Sequence, residues 1–154
     1  MSASESPGGG GAVANGAAGE TILTYRFEAR ADRLKGVRER MLECATRCGC
    51  SEAIARDIVI AVDEACQNII RHAYAGHADG QVVLECRHDG GDLEILLRDF
   101  ARAVDPATIR PRDLDDIRPG GLGVHFIRSV MDTVEFLPSP SGSGNLLRMT
   151  KKVR

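Results

Sequence analysis

Two stretches of this chain carry residue types and spacings that can do chemistry. The first is Glu64-Ala65-Cys66-Gln67-Asn68-Ile69-Ile70-Arg71-His72-Ala73. At 3.6 residues per turn, Glu64 and Asn68 share one helix flank, so an acid and a carboxamide point into one cleft. An amide oxygen is a hard ligand for Mg²⁺, which binds through few protein oxygens plus waters and phosphates. A neighbouring carboxylate can take a proton from a hydroxyl or from water. The second stretch is Pro119-Gly120-Gly121-Leu122-Gly123-Val124. Its glycines let the backbone approach an anion closely, and a helix N-terminus favours negative charge. Together the two imply a site for a metal-bound nucleotide, and with it phosphoryl transfer.

Each stretch alone has a plainer explanation. Glu and Asn at the border of an amphipathic helix are solvated in most proteins. Asp63, roughly opposite the apolar stripe, reads as solvated. His72 falls near the buried face, where it would pack and make one hydrogen bond. The glycine turn lacks the GK[ST] ending of a Walker loop. It follows no strand of a βαβ unit, which disfavours a dinucleotide fold.

The surrounding elements must hold these residues. Residues 1–19 are rich in Gly, Ala and Ser and too poor in large apolar side chains to offset their ordering entropy, which predicts a disordered tail. The folded domain is expected over 20–154. Thr21 to Phe27 reads as a strand. Ala31 to Cys48 reads as a helix with Leu34, Val37, Met41 and Ala45 on one face, stopped by Gly49. Ser51 caps a second, long helix whose stripe is Ile54, Ile58, Ala61, Val62, Ala65 and Ile69, closed near Gly76. Gln81 to Arg87 and Leu93 to Arg98 form a hairpin through Asp89-Gly90-Gly91. A Pro- and Asp-rich segment from Ala101 to Pro119 reads as irregular. A third helix from about Leu122 to Met131 and strands Thr133 to Leu137 and Leu146 to Val153 complete the chain. Hairpin-joined strands with helices on one face imply an α+β two-layer sandwich with a mixed, mostly antiparallel sheet.

Bulk properties narrow the function. The chain has 154 residues, 43% hydrophobic and 27% charged, which suits one globular domain. A formal net charge of −2 offers no broad field for nucleic acid or an anionic membrane. No apolar run reaches membrane-spanning length, and the N-terminus does not read as a signal peptide, so a cytoplasmic location is expected. Of five cysteines, Cys44, Cys48 and Cys50 cluster without a CxxC pair or nearby histidines. That pattern reads as reduced thiols rather than structural zinc.

Taken together, these stretches resemble the bacterial anti-sigma-factor serine kinases. Asp57 to Tyr74 looks like their N-box. Gly120 to Phe136 looks like their second glycine box and its helix. Leu97-Arg98-Asp99 stands where their adenine-binding aspartate box belongs. The resemblance spans about residues 20–153 and implies the ATP-binding sandwich of histidine kinases, gyrase and heat-shock ATPases. It implies ATP and Mg²⁺ as cofactors, with Glu64 as general base, Asn68 as Mg²⁺ ligand and Asp99 on the adenine amino group. Gly120, Gly121, Leu122 and Gly123 would turn over the phosphates, with Arg112 to Pro119 as a lid. The implied partners are a STAS-domain anti-anti-sigma protein, phosphorylated on serine, and a sigma factor; a homodimer is common in the family. The chain departs from the Asp-x-Gly-x-Gly pattern, reading Asp99-Phe100-Ala101-Arg102-Ala103. Ala101 places a methyl group where the family has none, and Arg102 offers a cation to the phosphates. A partner-binding module with weak or lost ATP binding is the alternative that this departure raises.

Overall fold

The computed structural model describes residues 19–73, 80–101, 121–138 and 144–153. The elements run β1 (Glu20–Glu28), a 3₁₀ turn (Ala31–Arg33), α1 (Leu34–Arg47), α2 (Glu52–Asn68), a π turn (Ile69–Ala73), β2 (Gln81–His88), β3 (Asp92–Asp99), α3 (Gly121–Val130), β4 (Thr133–Pro138) and β5 (Asn145–Lys152).

Local chemistry sets the helix ends. Ser51 is extended and its hydroxyl accepts from Ile54 N at 3.2 Å, which starts α2. Gly49, at φ +97°, ends α1. Gly49 N donates to Thr46 O and Cys50 N to Ala45 O, a paired closure that needs a left-handed residue. The first helix, expected as one piece from Ala31, opens as a 3₁₀ turn.

The five strands form one sheet in the order β1-β2-β3-β5-β4, and every described pair is antiparallel. Alternation decides which face is covered. Val82, Leu84 and Cys86 of β2, Leu93, Ile95 and Leu97 of β3, and Leu147 and Met149 of β5 are all buried. They meet Val37, Met41, Ile58, Val62, Ala65 and Ile127 of the helices in one continuous core. The opposite face carries ions. Arg87 pairs with Glu85 and Glu94, and Arg148 with Glu94 and Glu135. The helices therefore pack on one face alone, as an α+β sandwich requires. α2 lies between α1 and α3 and touches both.

Candidate functional site

The flank of α2 is where the acidic residues gather. Glu64 and Asn68 are both half-buried, one turn apart, as the stripe predicts. Among the described residues the Glu64 carboxylate makes no hydrogen bond or ion pair. Asp63 departs from expectation. Arg38 of α1 donates to it at 3.0 Å and Gln67 at 2.7 Å, so it braces the helix pair instead of facing solvent.

After Asn68 the backbone widens into the π turn. This changes the outlook of the next side chains, because a wider turn breaks the 3.6 period. His72, expected near the buried face, is exposed. Desolvation by its surroundings and the neighbouring Arg71 charge hold its imidazole below the usual histidine range. Arg71 is partly buried and donates from Nη2 to Asn68 Oδ1 at 3.2 Å. Its Nε is buried with no hydrogen-bond partner among the described residues. A buried guanidinium N–H without an acceptor is costly, and an anionic oxygen would satisfy it. The sequence reading gave Arg71 no role; its only signal was a cation inside an otherwise apolar helix end.

Asp99 closes β3 and is 3% exposed, the one buried charged residue among those described. Its Oδ1 accepts from Ala101 N at 3.1 Å, Asn145 N at 3.2 Å and Asn145 Nδ2 at 3.2 Å. Asn145 faces it across the β3–β5 ladder. Sequence reasoning missed Asn145, because strand register is invisible before folding. Burial pushes the Asp99 carboxyl up, against the pull of these three donors. A carboxyl with a raised folded pKa holds its proton more tightly in the native state. Its stabilising contribution is full below the unfolded value and is lost as pH rises through the folded one. Wild type should therefore lose stability relative to Asp99→Asn between about pH 4 and about pH 7. Urea midpoints at the two pH values check this; parallel changes in both proteins would contradict it.

Gly144 holds this corner. Its φ is +87°, and a Cβ there would overlap the Asp99 carbonyl oxygen. Gly144→Ala combines a left-handed alanine with a backbone clash and should cost about 2 kcal/mol or more. Urea denaturation measures it, and an unchanged midpoint would show that the corner relaxes freely.

Gly121, Leu122 and Gly123 form the first turn of α3, the helix that packs beside α2. Glu64, Asn68 and the glycine-rich helix start thus stand on adjacent helices. Ala101 is buried next to Asp99. Arg102, Gly120 and the expected lid from Arg112 to Pro119 lie outside the described residues, as do the helix closure at Gly76 and the tail before residue 19. Among the described residues no cluster of three His, Cys, Asp or Glu side chains is arranged to hold a metal. Mg²⁺ does not need one, since phosphates and water supply most of its ligands. Among the described residues the donor set fits a metal–nucleotide: a carboxylate without a partner, a carboxamide oxygen with a second lone pair, an unsatisfied guanidinium N–H and a buried aspartate at the sheet end.

Residues 27–151 match the model of the histidine kinase-like ATPase domain. The serine-protein kinase RsbW of Listeria monocytogenes is 31% identical over 121 residues, covering 73% of this chain and 77% of the relative. The RsbW of Halalkalibacterium halodurans is 33% identical over 115 residues, covering 70% and 68%. In fold the chain is similar to the RsbU and RsbW domains of a Mycobacterium tuberculosis protein, with a TM-score of 0.61 at 16% identity. That match covers 85% of this chain and 31% of the longer one. The mycobacterial sensor histidine kinase MprB gives a TM-score of 0.52 at 14% identity, covering 86% of this chain and 99% of that one. The packing of α2 beside α3, the buried aspartate at the sheet end and these matches agree: the chain belongs to the histidine kinase-like ATPase family, on its branch of anti-sigma serine kinases.

Proposed function

We propose that this protein is an ATP-dependent serine protein kinase that acts as an anti-sigma regulatory factor in the cytoplasm. Its protein substrate is a serine on a STAS-domain anti-anti-sigma partner, and it binds a sigma factor in exchange. A homodimer is the expected working form. The observation that carries this reading is the Glu64 carboxylate, without a partner among the described residues, one turn before Asn68 on the helix that packs beside the glycine-started α3.

The residues divide the work. Asp99 receives the adenine amino group, with its other oxygen held in place by Ala101 and Asn145. Backbone N–H groups of Gly121, Leu122 and Gly123 bind the phosphates, and Gly120 and Arg102 are assigned to the same task. Asn68 holds Mg²⁺, which neutralises charge on the phosphate oxygens when bound. Arg71 gives up Asn68 Oδ1 and turns to a phosphate oxygen. Glu64 accepts the serine hydroxyl proton as that oxygen bonds to the γ-phosphorus and the bond to the bridging oxygen breaks. Positioning and charge neutralisation do most of this, so no covalent enzyme intermediate is needed.

The test is incubation of the full chain with Mg²⁺-ATP and a STAS-domain partner from the same cell, read by mass spectrometry of the partner. One phosphate on one serine supports the reading. Partner capture without transfer, unchanged by ATP, would replace it with the partner-binding module.

A further inference from the structure

Four of the five cysteines gather far from Glu64 and Asn68 in sequence, at the C-terminal end of α1. Cys44 and Cys48 line a surface pocket of about 140 Å³ together with Ile22, Leu23, Arg47 and His88. A water molecule occupies about 30 Å³ of liquid, so a small peroxide fits. All of these thiols are free, and those of Cys86 and Cys48 lie close enough to shift the titration of Cys44. The Cys86 thiol donates to the Met41 sulfur at 3.7 Å. His88 Nε2 is buried with no hydrogen-bond partner among the described residues, leaving a polar atom at the pocket wall.

We propose that Cys44 and Cys48 form an oxidation site for hydroperoxides, with Cys44 as the attacking thiol and Cys48 as the resolving thiol that closes a disulfide. The proposal is independent of the nucleotide reading. Geometry selects the pair. Cys48 N donates to Cys44 O at 3.1 Å, so helical register continues through Cys48. Residues four apart in that register have Cα atoms about 6 Å apart, inside the Cα range of a disulfide, but Cβ atoms about 5–6 Å apart, so Cys48 must swing about 1–2 Å toward Cys44 to close the bond. Cys48 is the last helical position before the Gly49 turn and is partly exposed, so it can move. Cys86 cannot: it is fully buried and paired on both sides, to Leu23 and Ile95. Cys50 is nearly buried beyond the turn.

The chemistry follows the local charges. The thiol donors of Cys86 and Cys48, with the Arg47 charge, draw the Cys44 thiol below its usual range. The thiolate is the form that attacks peroxides. Burial and the negative charge of Cys44 push the Cys48 thiol up to about 12. Cys44 sulfur attacks one peroxide oxygen, the O–O bond breaks, and the departing hydroxide takes the proton Cys44 has shed, giving water and a sulfenic acid. Sulfenic Cys44 carries no charge, so its share of the push on the Cys48 thiol is removed, while burial, the larger cause, is relieved only as Cys48 moves outward. Cys48 sulfur then displaces hydroxide from Cys44, and that hydroxide leaves with the Cys48 proton as water. Two thiols and one hydrogen peroxide become one disulfide and two waters.

The experiment treats the reduced full chain with equimolar hydrogen peroxide, blocks free thiols with N-ethylmaleimide, and maps tryptic peptides without reduction. Cleavage after Arg40, Arg47 and Arg56 places Cys44 and Cys48 on separate peptides, residues 41–47 and 48–56. The expected product joins these two, in wild type and in Cys50→Ser, and dithiothreitol releases them. Cys44→Ser and Cys48→Ser should lose the link, with circular dichroism confirming their fold. A link to the peptide of Cys86, a link lost in Cys50→Ser, or a Cys44 that passes to sulfinic acid unlinked would overturn the pairing. If Cys44→Ser or Cys48→Ser does not fold, the wild-type and Cys50→Ser maps together decide, because residues 48–56 carry both Cys48 and Cys50.

Discussion

Glu64→Gln should lower serine phosphorylation by about 10²–10⁴-fold while leaving ATP affinity within about threefold of wild type. The substitution keeps the size and the helix, and it removes only the ability to take a proton. Glu64 has no ion pair or hydrogen bond among the described residues, so no described contact is lost with its charge. Two readouts are needed together. Single-turnover transfer to the STAS-domain partner reads the chemistry, and calorimetry with Mg²⁺-ATP reads binding. A fall in transfer at constant affinity marks a group that acts in the transition state. A matching loss of both would move Glu64 from proton acceptor to nucleotide contact. Unchanged transfer would end its assignment as the base.

Asp99→Asn should weaken ATP binding about 10–100-fold and leave the fold intact, because a hydrogen bond to a charged acceptor is worth roughly 1.5–3 kcal/mol. The buried corner explains why the two effects separate. Three N–H donors from Ala101 and Asn145 converge on Oδ1, and an asparagine oxygen can accept all three contacts without a charge. That places the asparagine NH₂ where the second carboxylate oxygen stood. It would then meet the adenine amino group as donor against donor. The loss of a desolvated charge is itself neutral or favourable to stability. Calorimetric titration with ATP and a urea melt of the same protein check both halves. Equal ATP affinity would place Asp99 as a strut for Asn145 alone. Absence of ATP binding in wild type as well would instead point to Ala101 and Ala103 as having closed the pocket.

Much of the fold was legible because local patterns carried it. The stripe Ile54, Ile58, Ala61, Val62, Ala65 and Ile69 predicted α2; its four middle residues are buried and the two at its ends are partly buried against the core. Gly49 and Ser51 marked a helix stop and a helix start, and both act through their own backbone or hydroxyl. Asp89-Gly90-Gly91 predicted a hairpin, and Asp89 Oδ1 accepts from Gly91 N at 3.2 Å and Asp92 N at 2.8 Å to close it. These interactions span only a few residues, so sequence neighbours suffice to define them. Glu64 and Asn68 belong to the same class, since a single helical turn relates them.

What tertiary structure decided lies wherever a partner comes from another element. Asp63 looks solvated along its own helix, and only the docking of α1 brings Arg38 to it. His72 follows the apolar stripe by periodicity, but the π turn after Asn68 turns it outward and leaves Arg71 Nε buried. Cys86 is 36 or more residues from the other thiols of its cluster, and the packing of α1 on β2 alone joins them. Asn145 reaches Asp99 across 46 residues because β3 and β5 pair in one register, and Gly144 matters because a Cβ there would meet the Asp99 backbone. Sequence by itself thus determined the helices, the turns and the row of Glu64 and Asn68, through short-range hydrogen bonds and hydrophobic periodicity. The surroundings of Asp99, Arg71 and Cys44 were decided by long-range packing, which no local pattern encodes.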